Sequence, residues 1–255
     1  MGLTTRTTNA GDEFDVRSLA VTYRDGFTIG DHSHPWGQLV YGTSGVMRVL
    51  AGDTIWFVPP TTAVWLPPEK SHRIVMQGEV AMRTLYLAPH RSTGLEQNAV
   101  ALEVSPLLRE LILQILDMGM LRGQIDEHDR LAGVLTDLIA RAPIGKLRLS
   151  MPADSRARTA AEWFQKNPSE RRNLRAVAKK AGGSLRTLQR LFTRQTGFSM
   201  EAWRQKARLI NAVGCLSSGS NVTEAALACG YGSTSAFIVA FKKQFGVTPG
   251  RYCAL

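Results

Sequence analysis

One pattern occurs twice in this chain, 49 residues apart, and it restricts the C-terminal part to short helices joined by tight turns. Ser184, Leu185, Arg186, Thr187, Leu188, Gln189, Arg190, Leu191 and Phe192 realign on residues 233–241, and Gly197 lands on Gly246. Each copy reads as a short helix, a glycine turn, a serine cap, a second helix and a glycine stop. Gly182 and Gly183 make the first turn after residues 176–181; Gly230, Tyr231 and Gly232 make the second after residues 224–229. Ser184 and Ser233 are placed to accept from the first free helix N–H groups. Gly197 and Gly246 can take the left-handed conformation that ends a helix. The chain therefore carries the helix-turn-helix pattern twice.

Charge follows the repeat. Residues 151–255 hold 17 Lys and Arg against 5 Asp and Glu, a net of +12, whereas residues 1–150 have a net of −2. A basic half beside a near-neutral one implies a polyanionic partner for the basic half, and duplex DNA is the expected one. The two second helices are chemically unequal. The first offers Arg186, Gln189, Arg190 and Arg194, flanked by Ser184 and Thr187, and Arg and Gln can bond guanine and adenine edges in a bidentate way. The second offers Ser233, Thr234, Ser235, Ile238 and Val239 before Lys242 and Lys243. Small hydroxyls and apolar groups touch phosphates or thymine methyls and discriminate less. Strong base readout is expected from the first helix and mainly positioning from the second.

The N-terminal half has a different rhythm. Across residues 14–90, short runs rich in Val, Thr, Tyr, Trp and Ile are broken by Gly and Pro, which predicts strands at 39–41, 46–50, 54–58, 63–66 and 81–87 in a small antiparallel barrel or sandwich. From Pro106 the period becomes helical. Leu107, Leu108, Leu111, Ile112, Ile115 and Leu116 mark one apolar face; Leu131, Val134, Leu135, Leu138 and Ile139 mark another, with residues 119–124 as a loop between them. The fold class expected is thus α+β multidomain: a β-barrel sensor domain (1–95), a helical linker or dimerisation region (96–150) and an all-α double helix-turn-helix domain (151–255). Two apolar helix faces outside the basic domain predict a homodimer built on residues 106–140. No apolar run reaches membrane-spanning length, no signal peptide is evident, and three cysteines without CxxC spacing read as free thiols, so a cytoplasmic protein without a membrane partner is expected.

His32 and His34 are two apart, which in a strand points both imidazoles to one face, and Gln38 follows four residues later. His72 comes after the Pro67-Pro68 turn, on a different strand. Three imidazoles and an amide oxygen converging in a small barrel would make a Zn, Ni, Fe or Mn site for one divalent ion. The alternative is that they line a pocket or core and bond to the backbone. Trp36, Gln38, Met47, Trp56, Trp65, Met82 and Tyr86 suit a small-molecule pocket, and the apolar ones suit a barrel core equally. His90 and His128 read as surface or structural residues.

The N-terminal segment resembles the cupin family. Gly26, His32, His34, Gln38 and Gly45 follow its first motif, and Pro67, Glu69 and His72 its second. Gln38 stands where the family has Glu, Glu69 where it has Gly and Met76 where it has Asn, so a metal here would be held with less negative charge. Residues 155–255 resemble the AraC/XylS family of transcription regulators. The likeness is carried by Leu174, Ala178, Thr187 to Phe192, Gly197, Trp203-Arg204, Cys229-Gly230-Tyr231, Phe237, Phe241, Phe245-Gly246 and Thr248-Pro249-Gly250-Arg251-Tyr252. The resemblance implies two subdomains joined by a long helix, with residues 201–216 as that helix, contacting successive major-groove segments. The segments at 36–41, 58–60, 63–65 and 83–87 are similar to regulators of the nitroimidazole-resistance type, some of which sit beside efflux genes.

These readings converge on a regulator that binds promoter DNA, senses a small molecule or metal through its cupin, and works with RNA polymerase as activator or repressor. A metal-dependent cupin enzyme, a dioxygenase or isomerase, fused to a DNA-binding tail is the alternative, and a cupin serving only for dimerisation is a third reading.

Overall fold

The computed structural model describes residues 13–170 and 174–253. The chain divides into two compact units, one of residues 1–52 and 58–145 and one of residues 53–57 and 146–255.

The first unit is built on antiparallel strands: β1 (Phe14–Tyr23), β2 (Thr28–His32), β3 (Gly37–Val40), β4 (Val46–Ala51), β6 (Thr62–Leu66), β7 (His72–Gln77), β8 (Val80–Leu87), β9 (Val100–Glu103) and β10 (Met120–Arg122), with β5 (Thr54–Val58) between β4 and β6 in sequence. One sheet runs β10-β1-β8-β3-β6-β9, and β4-β7-β2 lie side by side in the other. Register decides which residues share a face. Gln38 pairs with Tyr86 and Leu66, so Gln38, Thr84, Tyr86 and Met82 point one way. Leu39, Trp65, Leu85 and Leu87 point the other way, as period-2 alternation requires.

That second face carries helices α1 (Pro106–Met118) and α2 (Asp126–Arg141). Ser105 caps α1 by accepting from Leu108 N, Pro106 fills its first turn, and Gly119 at φ 89° stops it. Leu108, Leu111, Ile112, Ile115, Leu135 and Ile139 are buried in one core with Val16, Leu39, Trp65, Leu85 and Leu87. Residues 96–150 are therefore not a free-standing linker. β9 pairs with β6 and β10 with β1, so the loop predicted at 119–124 contains a strand. The apolar stripes assigned to a dimer are largely used within the chain: Leu111, Ile115 and Leu135 are buried and Leu131 and Leu138 partly so, while Leu107 and Val134 stay exposed. Sheet faces this apolar need cover, and the nearest helices in sequence supply it.

The second unit opens with β5 paired to β11 (Arg148–Ser150), Ile55 opposite Leu149. Among the described residues seven helices follow: α3 (Ser155–Lys166), α4 (Leu174–Lys180), α5 (Leu185–Thr196), α6 (Met200–Ser217), α7 (Val222–Ala228), α8 (Thr234–Phe245) and α9 (Pro249–Cys253). α6 is the connector expected from the sequence. Its Trp203, Ala207, Ile210 and Val213 are buried, and the Trp203 indole N–H donates to Ser150 O at 2.7 Å. Buried Arg204 bonds Glu170 O and Glu201 and lies 4.8 Å from the Phe164 ring centre. Cys215 and Cys229 are free thiols; the Cys253 side chain lies outside the described residues. Among the described residues no helix is long and apolar enough to cross a membrane.

Gly230, in the second turn, has φ 75°, and a Cβ built there would meet the Ser169 Cα at 2.7 Å. Gly230→Ala combines a left-handed backbone with a main-chain clash that no rotamer relieves. It is expected to cost about 1–3 kcal/mol, seen as a lower thermal midpoint; an unchanged midpoint would refute the close approach.

Candidate nucleic-acid interface and histidine cluster

The first helix-turn-helix is α4 and α5, the second α7 and α8. Ser184 accepts from Thr187 N at 3.1 Å and its hydroxyl lies 2.9 Å from the Thr187 hydroxyl; Gly197 ends α5 at φ 76°. Ser233 accepts from Ala236 N, and Gly246 ends α8 at φ 83°. Leu188, Leu191 and Phe192 face the core, and Phe237 and Phe241 do so in the second copy. This fixes what is left outside. Arg186, Gln189, Arg190 and Arg194 are exposed and line an open groove of about 770 Å³ along α5. Arg175 and Lys179 of α4 line a neighbouring groove of about 530 Å³ with Arg186 and Gln189. These two α4 cations were not singled out in the sequence, although their four-residue spacing before the turn was visible there.

Among the serines and threonines assigned to DNA, Ser184, Thr187 and Ser233 spend hydrogen bonds on capping, so their positions are set by the helix starts. Ser235, Lys242 and Lys243 are exposed. The Thr234 hydroxyl meets the Thr223 hydroxyl at 3.4 Å, and Val239 is 69% exposed.

In the first unit the three histidines do come together. His32 ends β2, His72 starts β7 directly opposite it, and Gln38 sits on β3. His34 lies beyond the end of β2, in the stretch leading to β3, so the one-face strand geometry expected for the His-x-His pair is not what aligns it. Instead each ring is held by its own backbone bond: His32 Nδ1 to Gly30 O at 2.8 Å, His34 Nδ1 to Trp36 O at 2.7 Å and His72 Nδ1 to Lys70 O at 2.8 Å. A carbonyl only accepts, so each Nδ1 carries the proton in these bonds and, in the neutral ring, each Nε2 is left a lone pair. The ring centres lie 4.2–5.9 Å apart, and one potential ligand atom from each residue lies within 4.8 Å of the others.

Gln38 completes the cluster. Thr84 donates its hydroxyl proton to Leu39 O at 2.9 Å, so its oxygen accepts from Gln38 Nε2 at 3.0 Å, which turns Gln38 Oε1 toward His34 Nε2 at 3.2 Å. Two acceptors then face each other. Burial pushes the His34 imidazole below its ordinary range and the His72 imidazole down to about 4, which opposes relief by a proton. His72 Nε2 is buried without a hydrogen-bond partner. A cation at this point would satisfy both, so the residues present fit a divalent metal. Glu69, standing where cupins have Gly, keeps the left-handed backbone at φ 62°, and its N–H donates to His34 O at 2.8 Å.

The aromatic and thioether residues divide. Met82, Met47 and Tyr86 belong to the side of the sheets that holds the histidines, with Met47 opposite Met76 and the Tyr86 ring 5.2 Å from His34. Trp65 belongs to the helix-facing core, where its indole N–H donates to Glu96 O at 2.9 Å, and so lies on the sheet face away from Gln38 and Tyr86. Trp36 is buried under the Arg17 guanidinium at 4.6 Å, and Trp56 is buried on β5 in the second unit. His90 bonds Asp15 and His128 accepts from Arg122 N, both structural roles.

Comparison with known proteins agrees with this division. Residues 15–142 match the family described as AraC-like ligand binding domain, and residues 177–254 the one described as Helix-turn-helix domain. The chain is 35% identical to the HTH-type transcriptional regulator NimR of Escherichia coli (strain K12), over 90% of this chain and 84% of that protein. The HTH-type transcriptional regulator RipA of Corynebacterium glutamicum is 31% identical over 48% of this chain and 35% of its own length. Among solved structures, the DNA-binding domain of the global transcriptional factor AdpA in complex with a target DNA is 30% identical, covering 40% of this chain and 92% of that one, with a TM-score of 0.36.

Proposed function

We infer, from the premise that this chain belongs to the AraC family of DNA-binding transcriptional regulators, that it is a metal-responsive member whose first unit senses a divalent cation through His32, His34, His72 and Gln38. The observation that carries the sensing part is the paired acceptors His34 Nε2 and Gln38 Oε1 at 3.2 Å, with all three Nδ1 atoms already committed to carbonyls. A bound ion would be held by His32 of β2, Gln38 of β3, His72 of β7 and His34, and would supply a cross-link among the segments that carry them. The protein's own part is to hold each ring at its second nitrogen, which fixes tautomer and orientation before the ion arrives. A neutral amide in place of a carboxylate gives a weaker site, which suits reversible sensing. A small organic effector resting on Met47, Met82 and Tyr86 is the other ligand class these residues accommodate.

α5 reads bases through Arg186, Gln189, Arg190 and Arg194, while Arg175, Lys179, Lys242 and Lys243 hold phosphates. We further propose action in the cytoplasm through RNA polymerase, as a homodimer that leaves Leu107 and Val134 for contact because the other apolar positions are covered. An efflux gene as target rests on the sequence resemblance alone.

The test is a salt series of operator binding by the full chain, with and without Zn²⁺, Ni²⁺ or Mn²⁺. Affinity is expected to fall steeply with salt as phosphate contacts release counterions, to differ between metal-loaded and metal-free protein, and to belong to a complex of two chains by mass. Affinity indifferent to every metal would overturn the sensing assignment and leave DNA binding standing.

A further inference from the structure

The two helix-turn-helix units are built alike but present opposite chemistry. Ala181 N bonds Val177 O as Cys229 N bonds Ala225 O, and Gly183 N bonds Ala178 O as Tyr231 N bonds Ala226 O, so the first helices correspond at a spacing of 48 residues. The second helices correspond at 49, from the serine caps to the left-handed glycines. By this correspondence Lys179 is matched by Leu227 and Arg190 by Val239. The replacements are not buried: Leu227 is 63% exposed and Val239 69% exposed. Val239 lies on the outward face of α8, whose other face buries Phe237 and Phe241, so as a β-branched residue it gains nothing there from helix propensity or burial. Single exposed apolar side chains are ordinary on protein surfaces; what sets Val239 apart is that it stands at the position equivalent to Arg190.

We propose, resting on the DNA-binding reading above, that α8 selects its DNA segment through the 5-methyl group of thymine, with Val239 as the contacting side chain. Val239 holds in α8 the place that Arg190 holds in α5. Ser235 stands one turn before it, and Lys242 and Lys243 lie three and four residues after it, all exposed, as phosphate contacts beside a groove-facing residue require. In the major groove thymine alone offers a methyl group, and an aliphatic side chain with no donor or acceptor distinguishes nothing else there. The same position in the two copies thus reads different bases: a guanine or its equivalent under Arg190, a thymine under Val239.

Duplexes selected from a random pool by the full chain supply the operator, and thymines are then replaced one at a time by deoxyuridine, which removes the methyl alone. At one thymine the replacement is expected to weaken binding about fourfold, the worth of one buried methyl-sized group. Val239→Ala should weaken binding to the thymine duplex by a similar factor and show no further loss when that thymine becomes uracil. Because Val239 is exposed, the variant should fold, and circular dichroism verifies it. If uracil costs nothing at any position, or if the variant loses equally on both duplexes, the methyl contact is overturned. Equal DNA binding with reduced transcription by purified RNA polymerase would overturn it in favour of a protein contact. A full chain that selects no duplex instead overturns the DNA-binding reading itself.

Discussion

Arg190→Ala is expected to lower operator affinity about 5- to 150-fold, the factor that corresponds to about 1–3 kcal/mol for a bidentate arginine–guanine contact. Arg190 is exposed on α5 between buried Leu188 and Leu191, lines the open groove and forms no ion pair among the described residues, so its removal is expected to leave the fold intact. The loss should be confined to one base pair: substitutions there become tolerated, while preference elsewhere persists. Competition binding at fixed salt with single-position operator variants measures this. A loss uniform across sequences, with a salt slope smaller by about one, would assign Arg190 to a phosphate instead. Val239→Ala, at about fourfold, should cost less than Arg190→Ala, and equal losses would remove the asymmetry between the two units.

The second large effect concerns the histidines. Protein loaded with Zn²⁺ and desalted is expected to hold about one ion per chain, and His72→Ala or His32→Ala should reduce this to background by elemental analysis. His32 is half-exposed, so its variant tests the site even if loss of buried His72 disturbs β7. Zn²⁺ should raise the thermal midpoint of the native chain and of neither variant. Gln38→Glu should tighten binding by adding a charge. Acid has a defined sign. Unfolded, His72 protonates near 6.5; folded, only near 4, because burial disfavours the cation. Metal-free protein should therefore be free of this ring's penalty above about pH 6.5 and lose part of its stability progressively as pH falls toward 4. Stability flat from pH 7 to 4 would contradict the burial of that ring.

How much of this could be read from sequence depended on how local the determining interaction is. Caps and glycine stops lie within four residues of what they satisfy, so α5 and α8 were legible from Ser184, Gly197, Ser233 and Gly246. The five predicted strands were found, 54–58 with the same ends and the others with ends shifted by at most two residues. β1 was not named despite its ten residues, β2 and β7 were read only through the strand positions given to His32 and His72, and β9, β10 and β11 are three or four residues long and exist only through partners far along the chain. The same distance hid the fate of Leu111, Ile115 and Leu135, since periodicity shows that a face is apolar but not what covers it. The histidine cluster was legible as a set of residues through its spacing and its likeness to cupins. Its internal order was not: the three Nδ1 bonds and the Thr84 hydroxyl that turns Gln38 appear only in the folded chain.

The helical unit is discontinuous in sequence, because Asp53 to Phe57 are part of it and Ile55 pairs with Leu149. No single cut of the polypeptide can release it whole. A chimera that grafts residues 151–255 onto another sensor would leave Trp56 and Leu149 behind, together with the Ser150 carbonyl that accepts from the Trp203 indole. An exchange of parts between relatives should therefore carry two segments, and recombination at the apparent linker would tend to yield chains whose helices lack their first strand pair.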